Sequence, residues 1–310
     1  MSNLRRGRAL SRLVTSAVAV TLAGATAGTA MADSGNAPLA AAARQSLPTA
    51  GAAAKAGAEP TGSAPQLTID AVNDKGEFFF YEPDGKGGLK PRKAGKNTKS
   101  SKAAWKHMKM VTQVHDRWGL HSGFLFLEDD NNVYFASDAG SYKVGNNWRQ
   151  YDTFFSPGDL GGSKDSDVIT RDKSGVLWLY EGDIIGKVGA RKKIGGGWNQ
   201  FTQIVGRGDL TGDGKTDIVA RDKQGVLWLY KGTGNANKPF AGRTKISGGW
   251  NQYTKLVSTG DVDGDGHSDL LAVDKKGALW LYKGTGKASS PFKSPVKISN
   301  SGWNNYRLVF

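Results

Sequence analysis

The chain predicts an all-β protein, a five-bladed β-propeller of four-stranded blades, its ring closed by pairing of the N- and C-terminal strands. Three observations carry this. A short phrase recurs as Trp148-Arg-Gln-Tyr151, Trp198-Asn-Gln-Phe201, Trp250-Asn-Gln-Tyr253 and Trp303-Asn-Asn-Tyr306, at spacings of 50, 52 and 53 residues. Self-similarity at such a period marks propellers and solenoids. Between the copies, apolar residues alternate or run for four to six positions between Gly and Asp turns, which is strand patterning, and no long helical period is sustained. The 245 residues from 66 to 310 hold five units of about 49.

In chain order, residues 1–32 place Arg5, Arg6, Arg8 and Arg12 before a small-residue apolar stretch that ends Ala30-Met31-Ala32. That order predicts a secretory signal cleaved after Ala32, and the many Thr and Gly residues of the stretch argue against a membrane anchor. Residues 33–64 are rich in Ala, Gly, Ser and Pro and are expected to form a flexible leader. The propeller domain is expected over 66–310. It opens on a half-unit, Ile69 to Asp74 and Phe78-Phe-Phe-Tyr81, followed by a diverged copy from Trp105 in which Val133-Tyr-Phe135 takes the third strand. Three full copies follow. Each has a run such as Ile218-Val-Ala-Arg-Asp222 and then Leu177-Trp-Leu-Tyr180, Leu227-Trp-Leu-Tyr230 or Leu279-Trp-Leu-Tyr282. The last strand, Trp303 to Phe310, has no unit after it, and the first unit lacks its first strand. Joining the two makes the fifth blade and removes open sheet edges, against the alternative of an open solenoid.

The chain has no Cys, which excludes disulfide scaffolds, thiol catalysis and Cys-ligated metals. Of its 28 acidic residues only five are Glu, at 59, 77, 82, 128 and 181. Asp belongs to turns, caps and calcium loops rather than helices. The formal charge is +14, of which four positive charges lie in the expected signal.

The Asp residues concentrate in loops eleven residues after each Trp. Asp261, Asp263, Asp265, the carbonyl of His267 and Asp269 occupy positions 1, 3, 5, 7 and 9 of one loop, and Asp209, Thr211, Asp213, the carbonyl of Lys215 and Asp217 the same positions of another. Hard oxygen donors in that number, around a Gly at position 6, suit Ca²⁺. Position 12 is Ala220 or Ala272 and the flanks are strands, so neither is an EF-hand. The alternative is an Asx-stabilised turn without metal. The copy at 159–167 keeps Asp159, Ser163 and Asp167 but has Gly161 at position 3 and Lys164 at position 6; after Trp105 only Asp116 remains, and that blade is expected to be metal-free.

The run Gly208-Asp-Leu-Thr-Gly-Asp-Gly-Lys-Thr-Asp-Ile-Val-Ala220 resembles the FG-GAP/VCBS repeats of integrin-type propellers and many secreted bacterial proteins. The resemblance covers about 150–300 well and 66–147 poorly, and it implies the propeller and its calcium loops but no activity. The 50-residue unit opening Gly-Gly-Trp also resembles tachylectin-type and fungal propeller lectins, which implies sugar pockets between blades.

Enzyme signatures are missing: there is no G-x-S-x-G, H-E-x-x-H or P-loop, and His107, His115, His121 and His267 recur in no constellation. Trp178, Trp228 and Trp280, mid-strand between Leu residues, are expected in the core. Trp198 and Trp250 are candidate platforms for a sugar ring, with Asn199, Gln200, Asn251 and Gln252 as hydroxyl partners, the alternative being blade-to-blade anchors. Nine basic residues and no acid lie between Gly85 and Met110, read as an inserted loop attracted to anionic polymer or as a solvated one. The expectation is therefore a secreted, extracellular, monomeric, calcium-stabilised binding module for carbohydrate or cell-wall polymer, without catalysis, nucleic-acid binding or membrane insertion. A propeller-based hydrolase or lyase, and a protein-binding module or inhibitor, are the alternatives.

Overall fold

The computed structural model describes residues 64–138, 140–183 and 186–310. The expected signal (1–32) and all but Ala64 of the expected leader (33–64) lie outside them. The strands are β1 (Ile69–Asn73), β2 (Phe78–Tyr81) and β3 (Lys93–Ala94); β4 (Met110–His115), β5 (His121–Leu127), β6 (Val133–Ser137) and β7 (Gly140–Gly145); β8 (Tyr151–Gly158), β9 (Asp167–Asp172), β10 (Leu177–Gly182) and β11 (Val188–Gly195). They continue with β12 (Phe201–Val205), β13 (Ile218–Asp222), β14 (Leu227–Gly232) and β15 (Phe240–Ser247); β16 (Tyr253–Gly260), β17 (Asp269–Asp274), β18 (Leu279–Tyr282) and β19 (Val296–Ser299); and finally β20 (Tyr306–Val309). They form five antiparallel sheets. Four take consecutive strands, and the fifth has the order β20-β1-β2-β3. Blades 1 to 5 are numbered here in chain order, blade 1 being the one that β20 completes. The register Ala71↔Val309, Val72↔Leu308 and Asn73↔Tyr306 closes the ring as the sequence predicts, and the Tyr81 and Tyr306 hydroxyls lie 2.6 Å apart across it.

The Gly-Trp phrase has a backbone reason. Each Trp opens a single 3-10 turn, and the residue before it is left-handed: Asn147 (φ 62°), Gly197 (85°), Gly249 (87°) and Gly302 (97°). Glycine takes that conformation without the Cβ clash that penalises other residues. The turn swings the indole between two blades, where Trp148, Trp198, Trp250 and Trp303 pack against Tyr180, Tyr230, Tyr282 and Tyr81 at 4.5–4.7 Å between ring centroids. Such pairs contribute about 0.5–1.5 kcal/mol beyond the area they bury. Five separate apolar clusters result, one per blade junction.

The joints are also tied by cations. Arg171 Nη1 in blade 3 donates to the Trp198 and Phe201 carbonyls of blade 4 (3.0 and 2.7 Å), and Arg221 Nη1 repeats this onto Trp250 and Tyr253 of blade 5 (3.1 and 2.6 Å). Val273 stands at that position in blade 5, and there Lys255 donates instead to the Tyr306 carbonyl. Arg307 ties a fourth joint, blade 1 to blade 2, through the Trp105 and Met108 carbonyls (2.6 and 2.9 Å).

The basic segment differs from the inserted loop expected. It carries β3 and then α1 (Lys99–His107), the one α-helix among the described residues. Thr98 caps it by accepting the Ser101 N–H at 3.1 Å, and Trp105 is buried against Phe78 and Phe126. The helix replaces the 3-10 turn at the junction of blades 1 and 2, and its lysines cover solvent-facing positions around one buried indole.

Candidate metal loops and inter-blade clefts

Three loops with the Asp-rich pattern join the first and second strands of blades 3, 4 and 5. In blade 5, Asp261 Oδ1 accepts the N–H groups of Gly264 (2.7 Å) and Asp265 (3.2 Å), and Oδ2 accepts those of Gly266 (2.9 Å) and the Gln66 side chain (3.1 Å). Asp261, Asp263 and Asp265 each bring one carboxylate oxygen to within 4.8 Å of the others. Oxygens that share a Ca²⁺ at 2.3–2.6 Å can lie up to about 5 Å apart, so the trio fits that ion.

Asp269 does not join the trio as the sequence pattern suggests. It is buried in the turn, where Oδ2 accepts the Val262 and Asp263 N–H groups (2.8 and 3.3 Å) and Oδ1 accepts the Gly284 N–H (2.7 Å). Burial, with repulsion from Asp263 and Asp261, pushes its carboxyl up to about 7 despite those bonds. Lysines supply the nearest positive charge: Lys283 lies 2.9 Å from Asp263 and Lys293 lies 3.4 Å from Asp265. Desolvation, the largest single influence, raises Asp263, but Lys283, the Asp265 N–H and Lys293 together outweigh it and hold the carboxyl below its ordinary value. His267 donates its N–H to Asp265 Oδ1 at 3.0 Å.

The blade 4 loop repeats the frame with less charge. Asp209 accepts the N–H groups of Thr211 (2.7 Å), Gly212 (2.7 Å) and Gly214 (2.6 Å), and the Thr211 hydroxyl bonds the same carboxylate at 3.3 Å. Asp213 accepts the Lys215 N–H at 3.1 Å and faces Lys231 at 3.1 Å. Asp217 bonds the Leu210 and Gly232 N–H groups, and burial pushes it up to about 6. Asp167 in blade 3 does the same and rises to about 7 for the same reason.

A second recurrent feature lies between blades. Two clefts of about 350 Å³ sit at equivalent junctions, one lined by Tyr81, Arg92, Trp303, Asn305 and Tyr306, the other by Trp198, Gln200, Phe201 and Tyr230. The indoles of Trp198 and Trp250 are only 6% and 3% exposed. They are the blade-to-blade anchors, not open platforms, because the 3-10 turn lays each on its Tyr partner. Asn199 and Asn251 donate to the carbonyls of Ser174 and Lys223 (3.3 and 3.2 Å), and Gln200 Nε2 to that of Gly197 (2.8 Å), all local backbone roles. Gln200 Oε1 also accepts from Arg243 Nη1 at 2.9 Å. Gln252, in the matching turn, is exposed.

The other Trp set departs from expectation in part. Trp178, Trp228 and Trp280 do pack against the inter-blade clusters, but from their margin, where they are half-buried rather than enclosed. Each donates Nε1 to an Asp at the end of the second strand, Asp172, Asp222 or Asp274, at 2.8–2.9 Å. Each ring lies under a cation of the outer strand: Arg191 and Arg243 at 4.2 Å and Lys297 at 5.0 Å. Desolvation works against the Asp172 carboxylate, yet bonds from Ser174 and Trp178 hold it at about 2. Blade 1 reproduces the arrangement with Arg92 over Phe79 at 4.5 Å. These cations escaped the sequence reading; their signal was a basic residue in each outer strand, hidden among many other lysines.

Residues 209–272 match the family model of the FG-GAP-like repeat. That stretch spans both Asp-rich loops of blades 4 and 5. No curated protein matches the chain. Among solved structures it is similar to AofleA from Arthrobotrys oligospora, at 12% identity over 78% of this chain and 75% of that one with a TM-score of 0.43. It is also similar to a protein of unknown function from Bacteroides caccae (11%, 75% and 73%, TM-score 0.36) and to human WBSCR16 (9%, 75% and 66%, TM-score 0.35). The chain thus spans about two thirds of the WBSCR16 chain. Among the described residues no helix is long and apolar enough to cross a membrane.

Proposed function

We propose that this chain is a secreted, calcium-stabilised propeller that binds a carbohydrate or cell-wall polymer and performs no chemistry on it. The observation that carries this reading is the recurrence of the inter-blade cleft, with Arg92, Tyr81 and Asn305 at one junction and the nearby Arg243 with Tyr230 and Gln200 at another. A guanidinium and an amide offer donors and an acceptor to ring hydroxyls, and aromatic walls suit the apolar face of a sugar. Single clefts bind weakly, and several on one rigid ring bind a polymer with avidity. Calcium enters as a stabiliser of blade 5 through Asp261, Asp263 and Asp265, none of which lines a cleft.

The test is retention on insoluble polysaccharide and cell wall, with and without chelator, for wild type, Arg243→Ala and the Gln200→Ala/Arg243→Ala pair. Binding to polymer is expected to fall at least tenfold in the pair while the circular dichroism spectrum is retained. Unchanged retention of the folded pair removes the clefts from the reading.

One observation favours a protein partner as a second reading. In blade 2, where the calcium loop is lost, Trp118 is 52% exposed at the tip of the β4–β5 turn, with the Arg117 guanidinium 5.7 Å from its ring. Exposed Trp and Arg are the residues that anchor protein interfaces. A Trp118→Ser variant that binds polymer normally but loses a secreted protein partner in pull-down supports that reading.

A further inference from the structure

The five innermost strands β4, β8, β12, β16 and β20 surround a central channel. A cavity of about 180 Å³ occupies it, walled by Val111, Phe155, Val205, Val257 and Val309, one residue from each strand, with Arg207 beside them. Arg207 breaks the repeat. The equivalent positions in blades 3 and 5 are Pro157 and Thr259, and in blade 2 Val114. It is 4% exposed, and no ion pair holds it among the described residues.

A guanidinium has five N–H donors. Arg207 Nε donates to the Ser258 carbonyl of blade 5 (3.3 Å), and Nη2 donates to the Gln113 carbonyl (3.1 Å) and Thr112 Oγ1 (3.5 Å) of blade 2. Nη1 has no partner. The hydroxyl of Ser156, another cavity-lining residue, is also buried without one. The side chains around this cation are further donors and neutral groups rather than carboxylates, and the end of the chain at Phe310, which also lines the cavity, accepts the Gln113 Nε2 donor (3.1 Å) rather than the guanidinium. His115 and His121 both feel the Arg207 charge, and burial holds them neutral, down to about 3 and about 4. Their Nε2 atoms are buried and unpartnered. Gly158 leaves the space open, since a Cβ there would stand 2.9 Å from His115 Nε2. A charge buried without a counter-charge is among the costliest arrangements in a protein, and it is tolerated where an opposite charge shares the site.

We propose that the central cavity binds a small oxyanion, of the sulfate, phosphate or carboxylate class, which accepts the two free Nη1 hydrogens of Arg207 and the Ser156 hydroxyl. The chemistry follows from the donors. A planar N–H pair beside a hydroxyl matches oxygens of one delocalised anion, and the cavity holds only a few heavy atoms. The site is separate from the inter-blade clefts and from the Asp-rich loops. Its occupant would join blade 3, through Ser156, to blades 2, 4 and 5, through the contacts of Arg207.

The experiment is titration of the full chain with sodium sulfate, followed by calorimetry and by melting temperature, at 0–5 mM sulfate and ionic strength held constant with sodium chloride. Low concentration separates site binding from the general stabilisation that sulfate exerts by exclusion at higher levels. Wild type is expected to show a saturable transition and a rise of at least 2 °C, and Arg207→Met, which keeps the length and removes the charge, is expected to lose both. Should Arg207→Met fail to fold, Ser156→Ala retains the cation and is expected to weaken sulfate severalfold. Absence of saturable binding by sulfate, inorganic phosphate and acetate to wild type overturns the proposal and leaves a water-filled cavity. Binding retained in folded Arg207→Met, or unaltered in Ser156→Ala, overturns it as well.

Discussion

The loops at 261–269 and 159–167 share one frame and differ in charge. Asp261 and Asp159 both accept the N–H groups of positions 4, 5 and 6. Asp269 and Asp167 both accept the N–H groups of positions 2 and 3 and of a glycine in the next hairpin, Gly284 or Gly182. The two ends of the motif therefore fold the turn whether or not a cation is bound. What separates the loops is their middle: Asp263, Asp265 and Gly266 in one, Gly161, Ser163 and Lys164 in the other. An Asp-x-x-Gly-type turn and a cation site are thus different properties of one loop, and positions 3 and 5 decide the second.

The strongest way to break this comparison is at position 9. Asp269→Ala and Asp167→Ala each strand three backbone N–H groups, and every buried unsatisfied donor costs about 1–3 kcal/mol. Both variants are expected to lose roughly 3 kcal/mol or more by urea denaturation in chelator, to similar extents. Their penalty also depends on pH. The folded carboxyls sit at about 7 against an unfolded value near 3.9, so the folded state holds the proton more tightly and the contribution of each Asp is full below about pH 4 and lost as pH rises through about 7. The gap between wild type and variant should narrow over that window. Taking the difference removes the opposite trend of His115 and His121, whose depressed values make them favour higher pH. A gap that widens toward pH 7 in chelator contradicts the assigned environment, and a gap seen only with calcium returns Asp269 to the ligand set.

Calcium removal comes next in size. With a dissociation constant of 10⁻⁴–10⁻³ M, as in extracellular modules, 10 mM Ca²⁺ stabilises the folded state by about 1.4–2.7 kcal/mol relative to chelator. Asp265→Ala should abolish that difference and Ser163→Ala should leave it intact. Equal melting of wild type in calcium and in chelator ends the case for the site. The smallest effect is expected at Lys164, a non-glycine at φ +76° where blades 4 and 5 have glycine. Lys164→Gly should gain roughly 1 kcal/mol by relieving the left-handed strain. Adding Gly161→Asp and Ser163→Asp should then bring a new calcium-dependent increment in melting temperature to blade 3; its failure to appear shows that the frame needs more than its middle residues.

Much of the fold was legible because it is local and repeated. The Gly-Trp phrase, the Leu-Trp-Leu-Tyr strands and the unmatched Trp303 to Phe310 segment lead directly to five blades and a closing strand. The two Trp sets were harder. Alternation along Leu227-Trp228-Leu229-Tyr230 shows which side chains share a face, but not which face the next blade covers. The anchors therefore proved to be Trp198 and Trp250, while Trp228 rests under Arg243. The helix at Lys99–His107 was obscured by its lysines, which outnumber the one buried anchor, Trp105. Arg171 and Arg221 carry no motif because their acceptors are ordinary carbonyls one blade away.

By itself the sequence determined the number of blades, the strands within them and the places where carboxylates gather, since each depends on turn chemistry and apolar periodicity within about 50 residues. Tertiary structure alone decided how those pieces are used. It turned Asp269 from the trio toward backbone amides, buried one Trp set and left the other beneath cations, and brought Arg207 of blade 4 against Thr112 and Gln113 of blade 2. Such contacts are set by which surfaces meet when the ring closes, and a single arginine among forty-two basic residues acquires its meaning only from the unpartnered channel it enters.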